Sequence, residues 1–470
     1  LLAVATYLVL LGDRALGFYA LLQDGQFNAG NVAAVCFLAA GLFFVRGKLW
    51  PTATLLGAAG VMHLNYALVG AGLWGVIAIW SWWRGEASFK SLAGPTVAAW
   101  LPCLANIGLA LPAKLQASGG MPLGEFLDLY VFFRHAHHYA PSTWPALVWI
   151  AFLVPLPLAM IVIWSRRAEP VVRRGGLLLC VLLGLQVFAL LTAGLFYVGE
   201  SFVQLSLWRV SPHAKLLAVT FAAVWLSKWR LVRSFAMWAF AVVLAITIVA
   251  AAYASRPDSA LAGQVQIVLA FGVGLFLLSL TAVAHAFGGR AGKGFDAMVC
   301  VVVSGMLAMQ LAVAFTTGLP LPGQSPPRQE VLVAAAWARE KSPGDAVFLL
   351  PPGSGSAFPL HARRSHVVSY KLVPQLSGEL ATWRDRLSDV VAADDLLAFV
   401  DDLSAYKRAQ QAMDEAYGER SLAALVEVAR SYDATHIVRY GPADVAAAAA
   451  SGATIHVAGD GVTIYELSVP

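Results

Sequence analysis

Six adjacent positions of this 470-residue sequence, Arg134-His135-Ala136-His137-His138-Tyr139, gather more proton-handling and anion-binding side chains than any other stretch of the chain. Two carboxylates, Glu125 and Asp128, precede them. Read as a helix, the run from Gly124 places Glu125, Asp128, Phe132, His135 and Tyr139 on one face, because residues three and four apart neighbour each other on a helix. A carboxylate, an imidazole and a phenol would then share a stripe suited to general acid–base work. Arg134, His135, His137 and His138 concentrate donors for a phosphate, which a guanidinium grips bidentately. Two other chemistries fit the same residues. The three histidines could hold a divalent metal if a further ligand stood nearby. Alternatively the run is an interfacial amphipathic helix, with Phe and Tyr at headgroup level.

A second group lies in Glu200-Ser-Phe-Val-Gln-Leu-Ser-Leu-Trp-Arg-Val-Ser-Pro-His-Ala-Lys215. Taken as one straight helix at about 1.5 Å per residue, it sets Arg209 roughly 13 Å beyond Glu200. Charge at that depth in an apolar span marks a functional site, an internal ion pair or a snorkelling side chain. His213 and Lys215 lie deeper and are expected to face a bundle interior. His63 interrupts an apolar stretch, where it serves as a helix cap or a ligand. Asp24, near Asp13 and Arg14, is a further candidate base or a solvated loop acid.

The elements that must carry these residues are membrane helices. The chain is 59% hydrophobic and 13% charged, with a mean hydropathy of +0.70, where soluble domains average about a quarter charged. A span needs about 20 apolar residues. Runs of that kind fall at 28–45, 92–112, 145–165, 175–198, 202–226, 234–254, 260–287 and 296–317, with a frayed one at 1–22. The stretch 50–83 is too long for one untilted span and is broken at Met62-His63-Leu64-Asn65-Tyr66, so it predicts two short helices meeting at His63. The fold class expected is an α-helical polytopic membrane protein of about 10–11 membrane helices.

Charge then orients it. Residues 1–320 carry 19 Lys and Arg against 9 Asp and Glu. Thirteen of those 19 sit in five loops, at Arg46/Lys48, Arg84/Lys90, Arg166/Arg167/Arg173/Arg174, Lys228/Arg230/Arg233 and Arg290/Lys293. With these loops cytoplasmic, His63, the loop 113–144, Glu200 and everything beyond Leu319 face outward. The basic excess lies between apolar spans and not on one basic face, which excludes nucleic acid as a partner. All four cysteines fall in apolar segments and read as small core residues. The chain opens at Leu1 within an apolar run and reads as N-terminally truncated.

Residues 1–320 thus form a transmembrane domain and 321–470 a separate extracytoplasmic one. After the breaker run 319–327 the tail turns α/β: a helix at 328–341, strands at 346–350 and 366–370, mostly helix over 379–431, then strands at 436–440, 454–457 and 462–467. It carries 13 basic against 18 acidic residues and no Walker, Rossmann or zinc-type spacing. A lid or recognition role is expected for it.

Several segments together resemble a known family. Arg46-Gly-Lys followed by an apolar helix, Met62-His63 and a second apolar helix is similar to the hairpin of GT-C glycosyltransferases. The Arg134–Tyr139 loop and Leu207-Trp-Arg209 resemble an uncharacterised bacterial group of that superfamily, and Ala336-Trp-Ala-Arg-Glu-Lys-Ser-Pro-Gly-Asp-Ala-Val-Phe348 resembles the opening of many of its periplasmic domains. The resemblance implies a bacterial inner-membrane enzyme. It would move a sugar, with inversion, from a polyprenyl-phosphate lipid to a glycan, lipid or protein acceptor on the extracytoplasmic face. An acid in an outward loop would act as base, which here leaves Asp24, Glu125, Asp128 or a residue upstream of Leu1. His63, Arg134, His135, His137, His138, Tyr139 and Arg209 would bind substrate. No resident metal is assigned, although a divalent ion as cofactor stays open. The competing readings are a membrane transporter and a non-catalytic scaffold of the same fold in envelope polysaccharide assembly.

Overall fold

The structure, a computed structural model, describes residues 15–17, 29–117, 121–144, 146–226, 328–354, 357–400, 406–459 and 461–468. The expected spans 234–254, 260–287 and 296–317, the loops at 228–233 and 290–293, and the candidate Asp24 lie outside these residues. The described chain is mostly helical, with one small C-terminal sheet. Two compact units emerge: one holds 1–109, 144–191 and 205–324, the other 110–143, 192–204 and 325–470. The second unit therefore joins the tail to two segments from the apolar part of the sequence.

In the first unit, α1 (Ala29–Val45), α2 (Leu49–Met62), α3 (Leu64–Trp83), α4 (Phe89–Ala117), α5 (Ala146–Leu153), α6 (Pro155–Ser165), α7 (Pro170–Leu190) and α8 (Ser211–Leu226) are all apolar helices. Four helical stretches are long and apolar enough to cross a membrane: Leu64–Trp83, Phe89–Pro112, Val148–Ser165 and Pro170–Leu195. The break at His63 falls where the sequence places it. Its extended backbone (φ −155°, ψ 128°) ends α2, and Nδ1 accepts from the Asn65 amide at 3.2 Å, capping α3. The two helices fold back on each other: a Cβ on Gly60 would lie 3.1 Å from Ala67 Cα, and one on Gly70 would lie 3.3 Å from Leu56 O. Fourteen residues span only about 21 Å as a helix, so α2 is shorter than its partner.

Small residues let α4 approach this hairpin, as membrane helix contacts require. A Cβ on Gly57 would strike the Ala98 carbonyl oxygen, and one on Gly60 the Cys103 sulfur. Asn106 Nδ2 donates to Gly60 O at 2.5 Å, and Trp74 Nε1 to Thr96 Oγ1 at 3.1 Å. At the far end of α2 three basic loops converge. Glu86 Oε1 and Oε2 each take a guanidinium nitrogen, from Arg173 and Arg174 respectively, at 2.9 Å. Gly47, at φ +75°, packs so closely on Arg174 that a Cβ would lie 2.8 Å from its Nη1. Burial pushes the Glu86 carboxyl up, but Arg174 and Arg173 outweigh it and hold it below the usual range.

One expected helix is not continuous. Over 202–226 the chain instead forms a short turn of helix Glu200–Gln204, a left-handed Ser206 (φ 50°), a 3-10 turn Leu207–Val210 and then α8. The straight-helix depth of Arg209 is thereby withdrawn. The span expected over 145–165 runs on through Val154, whose backbone stays helical (φ −56°, ψ −40°); only the bond that Pro155 cannot donate is missing where α5 meets α6.

The tail of the second unit is built on a five-stranded mixed sheet in the order β2-β1-β3-β5-β4, with β1 Val347–Leu349, β2 Ser365–His366, β3 His436–Tyr440, β4 Ala453–Gly459 and β5 Val462–Leu467. β1 is parallel to β2 and β3, while β5 runs antiparallel to β3 and β4. The helix α9 (Gln329–Lys341) buries Val331, Ala334, Ala335 and Ala338, its i, i+3, i+4, i+7 face, in a core with Phe348, Val438 and Ile464. The strand expected over 366–370 shrinks to two residues. Its later carbonyls go elsewhere: Ser369 O accepts from Trp383 Nε1 at 2.9 Å, and Tyr370 O from Arg134 Nε at 2.9 Å. The helices α10 (Ala357–Ala362), α11 (Ser377–Val391), α12 (Tyr406–Glu419), α13 (Leu422–Ser431) and α14 (Val445–Ser451) complete the unit.

Two predictions follow from this packing. Gly57→Val and Gly60→Val, which overfill the hairpin contact, should each cost about 1–3 kcal/mol and lower the midpoint of thermal unfolding in detergent. Gly72→Ala, with nothing within 4 Å of its Cβ position, should leave the midpoint unchanged or slightly raised. In the tail, burial lowers the pKa of His436, stacked on Phe348 at 4.6 Å, and of His366. Both folded-state values lie below the unfolded value of about 6.5, so their stability contribution is complete above that pH and is lost as pH falls through and below it. Protection factors of β1 and β3 amides, each taken relative to the intrinsic exchange rate at the same pH, should fall as pH drops from about 7.5 to 5.5, and less so in His436→Gln.

Candidate functional site

Within the first unit, the turn bearing Arg209 is pinned by three other elements. Asn65 Nδ2, from the start of α3, donates to Leu205 O at 2.8 Å, and Gln186 Nε2, from α7, donates to Leu207 O at 3.1 Å. The Trp144 ring meets Trp208 edge-on at 4.9 Å. A left-handed turn freed those carbonyls, and two amides take them up. Arg209 is thereby held within electrostatic range of His63 and Tyr66. His63 and Tyr66 meet edge-on at 6.0 Å, Tyr66 and His213 at 6.0 Å, and Phe37 lies 4.9 Å from His213. His213 is 4% exposed and Lys215 fully buried, so both face the bundle interior as expected. Of the candidates named from sequence, His63 and Arg209 come together here. Tyr66, Asn65 and Gln186 were missed as members of the site; the polar break at 62–66 signals the first two, and a lone amide within the apolar run 175–198 signals the third.

The second unit holds the rest. Residues 123–139 are helical but not one α-helix: Leu123–Phe126 is α, Leu127–Arg134 is a π-helix, and Ala136–Tyr139 is α again after a break at His135. Wider π turns displace the single-face register expected at 3.6 residues per turn. Segments of this kind concentrate at functional positions. The second, Leu191–Leu195, leads to Tyr197, whose backbone is left-handed (φ 44°). The two segments touch: Phe132 and Tyr197 pack edge-on at 5.8 Å, and Tyr197 Oη donates to Tyr139 O at 3.1 Å.

The six-residue loop divides into clasp and cluster. Arg134, 8% exposed, donates from Nε to Tyr370 O at 2.9 Å and from Nη2 to Lys371 O at 3.3 Å, with its guanidinium 5.0 Å over the Tyr370 ring. Tyr370 Oη donates back to Phe133 O at 3.0 Å. Much of the donor edge expected to grip phosphate is thus engaged by backbone. His135 and Tyr139 pack against Tyr130, and His137 and His138 lie beyond them, beside His135. His135 Nδ1 lies 3.0 Å from Tyr130 O, with ring centres 4.6 Å apart, and His137 and His138 are 4.0 Å apart. The imidazoles of His135 and His137 are 6.4 Å apart, and among the described residues no three His, Cys, Asp or Glu side chains are grouped to hold a metal. Glu125 forms an ion pair with Arg384 of α11, whereas Asp128 is exposed. Glu200 accepts from Gln204 at 2.5 Å, which also donates to Gln375 O at 2.5 Å. Tyr370 and Arg384 were invisible to sequence reasoning, since each acts more than 230 positions from its partner.

Comparison with known proteins adds one fact about the tail. No curated protein matches the chain. A family model described as a domain of unknown function, DUF6798, matches residues 329–390, the segment from α9 through all but the last residue of α11, which includes both Tyr370 and Arg384.

Proposed function

We propose that the chain is a polytopic protein of the bacterial inner membrane, with about ten or eleven spans in a GT-C-like arrangement, and that it transfers a sugar from a polyprenyl-phosphate lipid to a glycan, lipid or protein acceptor on the extracytoplasmic face. The observation that carries this reading is the polarity of the first unit. Its loops at 46–48, 84–90 and 166–174 converge at one end of α2, while His63 caps the other end with Arg209 in range. Positive loops favour the cytoplasm, so the His63–Arg209 end faces outward. A polyprenyl phosphate is an anion on a long apolar tail, and an arginine at the rim of an apolar bundle complements both parts. The tail unit, which takes in the His135–Tyr139 cluster, suits acceptor recognition. Of the two described acids, Asp128 is exposed for a base role and Glu125 is occupied by Arg384.

A transporter is the second reading, favoured by the helix break at Ser206 (φ 50°) and by the non-helical Ala193 (φ −136°), since broken helices line transport sites. Radiolabelled sugar on a polyprenyl phosphate, supplied to the full chain in proteoliposomes, separates the two. Covalent transfer to acceptor is expected, and Arg209→Ala should reduce it by about 10²–10³, the loss seen when one electrostatic donor is removed. Asp128→Asn should cost at least roughly 10²-fold. Uptake of label without transfer would replace the transferase with the transporter. Glu125→Gln should instead loosen the second unit, read as faster proteolysis near residue 125, with transfer reduced far less than in Asp128→Asn.

A further inference from the structure

A cavity of about 330 Å³ opens between the end of α11 and α13 in the tail. That is the small end of ligand pockets, which run from roughly 300 to 1,000 Å³. Asp389, Asp394, Arg420 and Glu427 line it, three acids to one base. Ordinary ion pairing would join the guanidinium to one of these carboxylates, yet it joins none. Arg420 Nη1 donates instead to the carbonyl oxygens of Asp389 and Val390, which the end of α11 leaves without helical partners. This cap accounts for Nη1 and fixes the guanidinium in place. The Nε–Nη2 edge, a flat pair of donors that matches a carboxylate, has no hydrogen bond among the described residues. Of the acids, Asp389 is already served. Burial, and then the hydrogen bond to Asp389, push the Tyr432 hydroxyl up to about 12, so it keeps its proton and donates to Asp389 Oδ2. The carboxylates of Asp394 and Glu427 have no hydrogen bond or ion pair among the described residues.

We propose that this cavity binds a free diamino acid, a small molecule with one carboxylate and two ammonium groups. The carboxylate takes the Nε–Nη2 edge of Arg420, and the ammonium groups face Asp394 and Glu427. Charge disfavours the simpler ligands. A plain anion would meet two unpaired carboxylates, and a plain amine would leave the guanidinium edge unmatched. The lining carries a net charge of −2, which a ligand of net charge +1 offsets in part. The cavity is open to water, which screens each pair, so recognition depends on meeting all three groups together. The site goes beyond the transferase reading and does not rest on it, because neither Arg209 nor the His135–Tyr139 cluster takes part.

Isothermal titration of the full chain in nanodiscs with L-lysine, 1,5-diaminopentane and glutarate tests it. Lysine should bind with a dissociation constant below about 1 mM. Diaminopentane, which lacks the carboxylate, and glutarate, which lacks the amines, should bind at least about tenfold more weakly. Arg420→Gln should erase the preference for lysine over diaminopentane. Glu427→Gln and Asp394→Asn should each weaken lysine by about two- to fivefold without moving the midpoint of thermal unfolding. Arg420 also caps α11, so if Arg420→Gln unfolds, the two carboxylate variants decide. Lysine binding unchanged in every folded variant, diaminopentane binding as tightly as lysine, or no binding of lysine at about 10 mM overturns the site. Each of these outcomes holds whether or not the chain transfers sugar.

Discussion

Every place where this chain leaves regular helix frees backbone carbonyls, and in an apolar setting each must find a donor within the protein. That requirement organises both units. Asn65, Asn106 and Gln186 serve it in the first, reaching Leu205, Gly60 and Leu207. Arg134 and Gln204 serve it in the second, reaching Tyr370, Lys371 and Gln375. These are the same breaks that present His63, Arg209 and the His135–Tyr139 cluster, so the devices that satisfy the backbone also fix the reactive side chains. A long polar side chain anchored in this way does two jobs at once, which helps a helical bundle stay ordered while interrupted at several points.

Much of this architecture was legible in the sequence where a single property decides it. The hairpin at His63 follows from length: 34 apolar residues exceed one span, and the polar interruption falls in the middle. The tail strands at 436–440 and 462–467 follow from short β-branched runs between turns, and α9 from its apolar period. The convergence of Glu86 with Arg173 and Arg174 agrees with the grouping of those loops by charge.

What was hidden depends on partners far away in the chain. Ser206 in a left-handed turn carries no local signature, because Asn65 and Gln186 on other helices stabilise it. The π register of 127–134 likewise cannot be read from a period that assumes 3.6 residues per turn. Arg134 looked like an anion ligand because its own neighbours are histidines, whereas its bonds are to carbonyls of the Tyr370 turn. Residue type announced the chemistry correctly as cationic donation but not the acceptor.

The pairing of Glu125 with Arg384 also sets an order of events during synthesis. The two residues are 259 positions apart, so at roughly 5–20 residues per second the helix bearing Glu125, Phe133 and Arg134 leaves the ribosome about 13–50 s before its partner. For that interval Phe133, which finally packs 5.3 Å from Tyr370, has no surface to cover it, and the segment is a natural client for a chaperone or for the insertion machinery until α11 arrives.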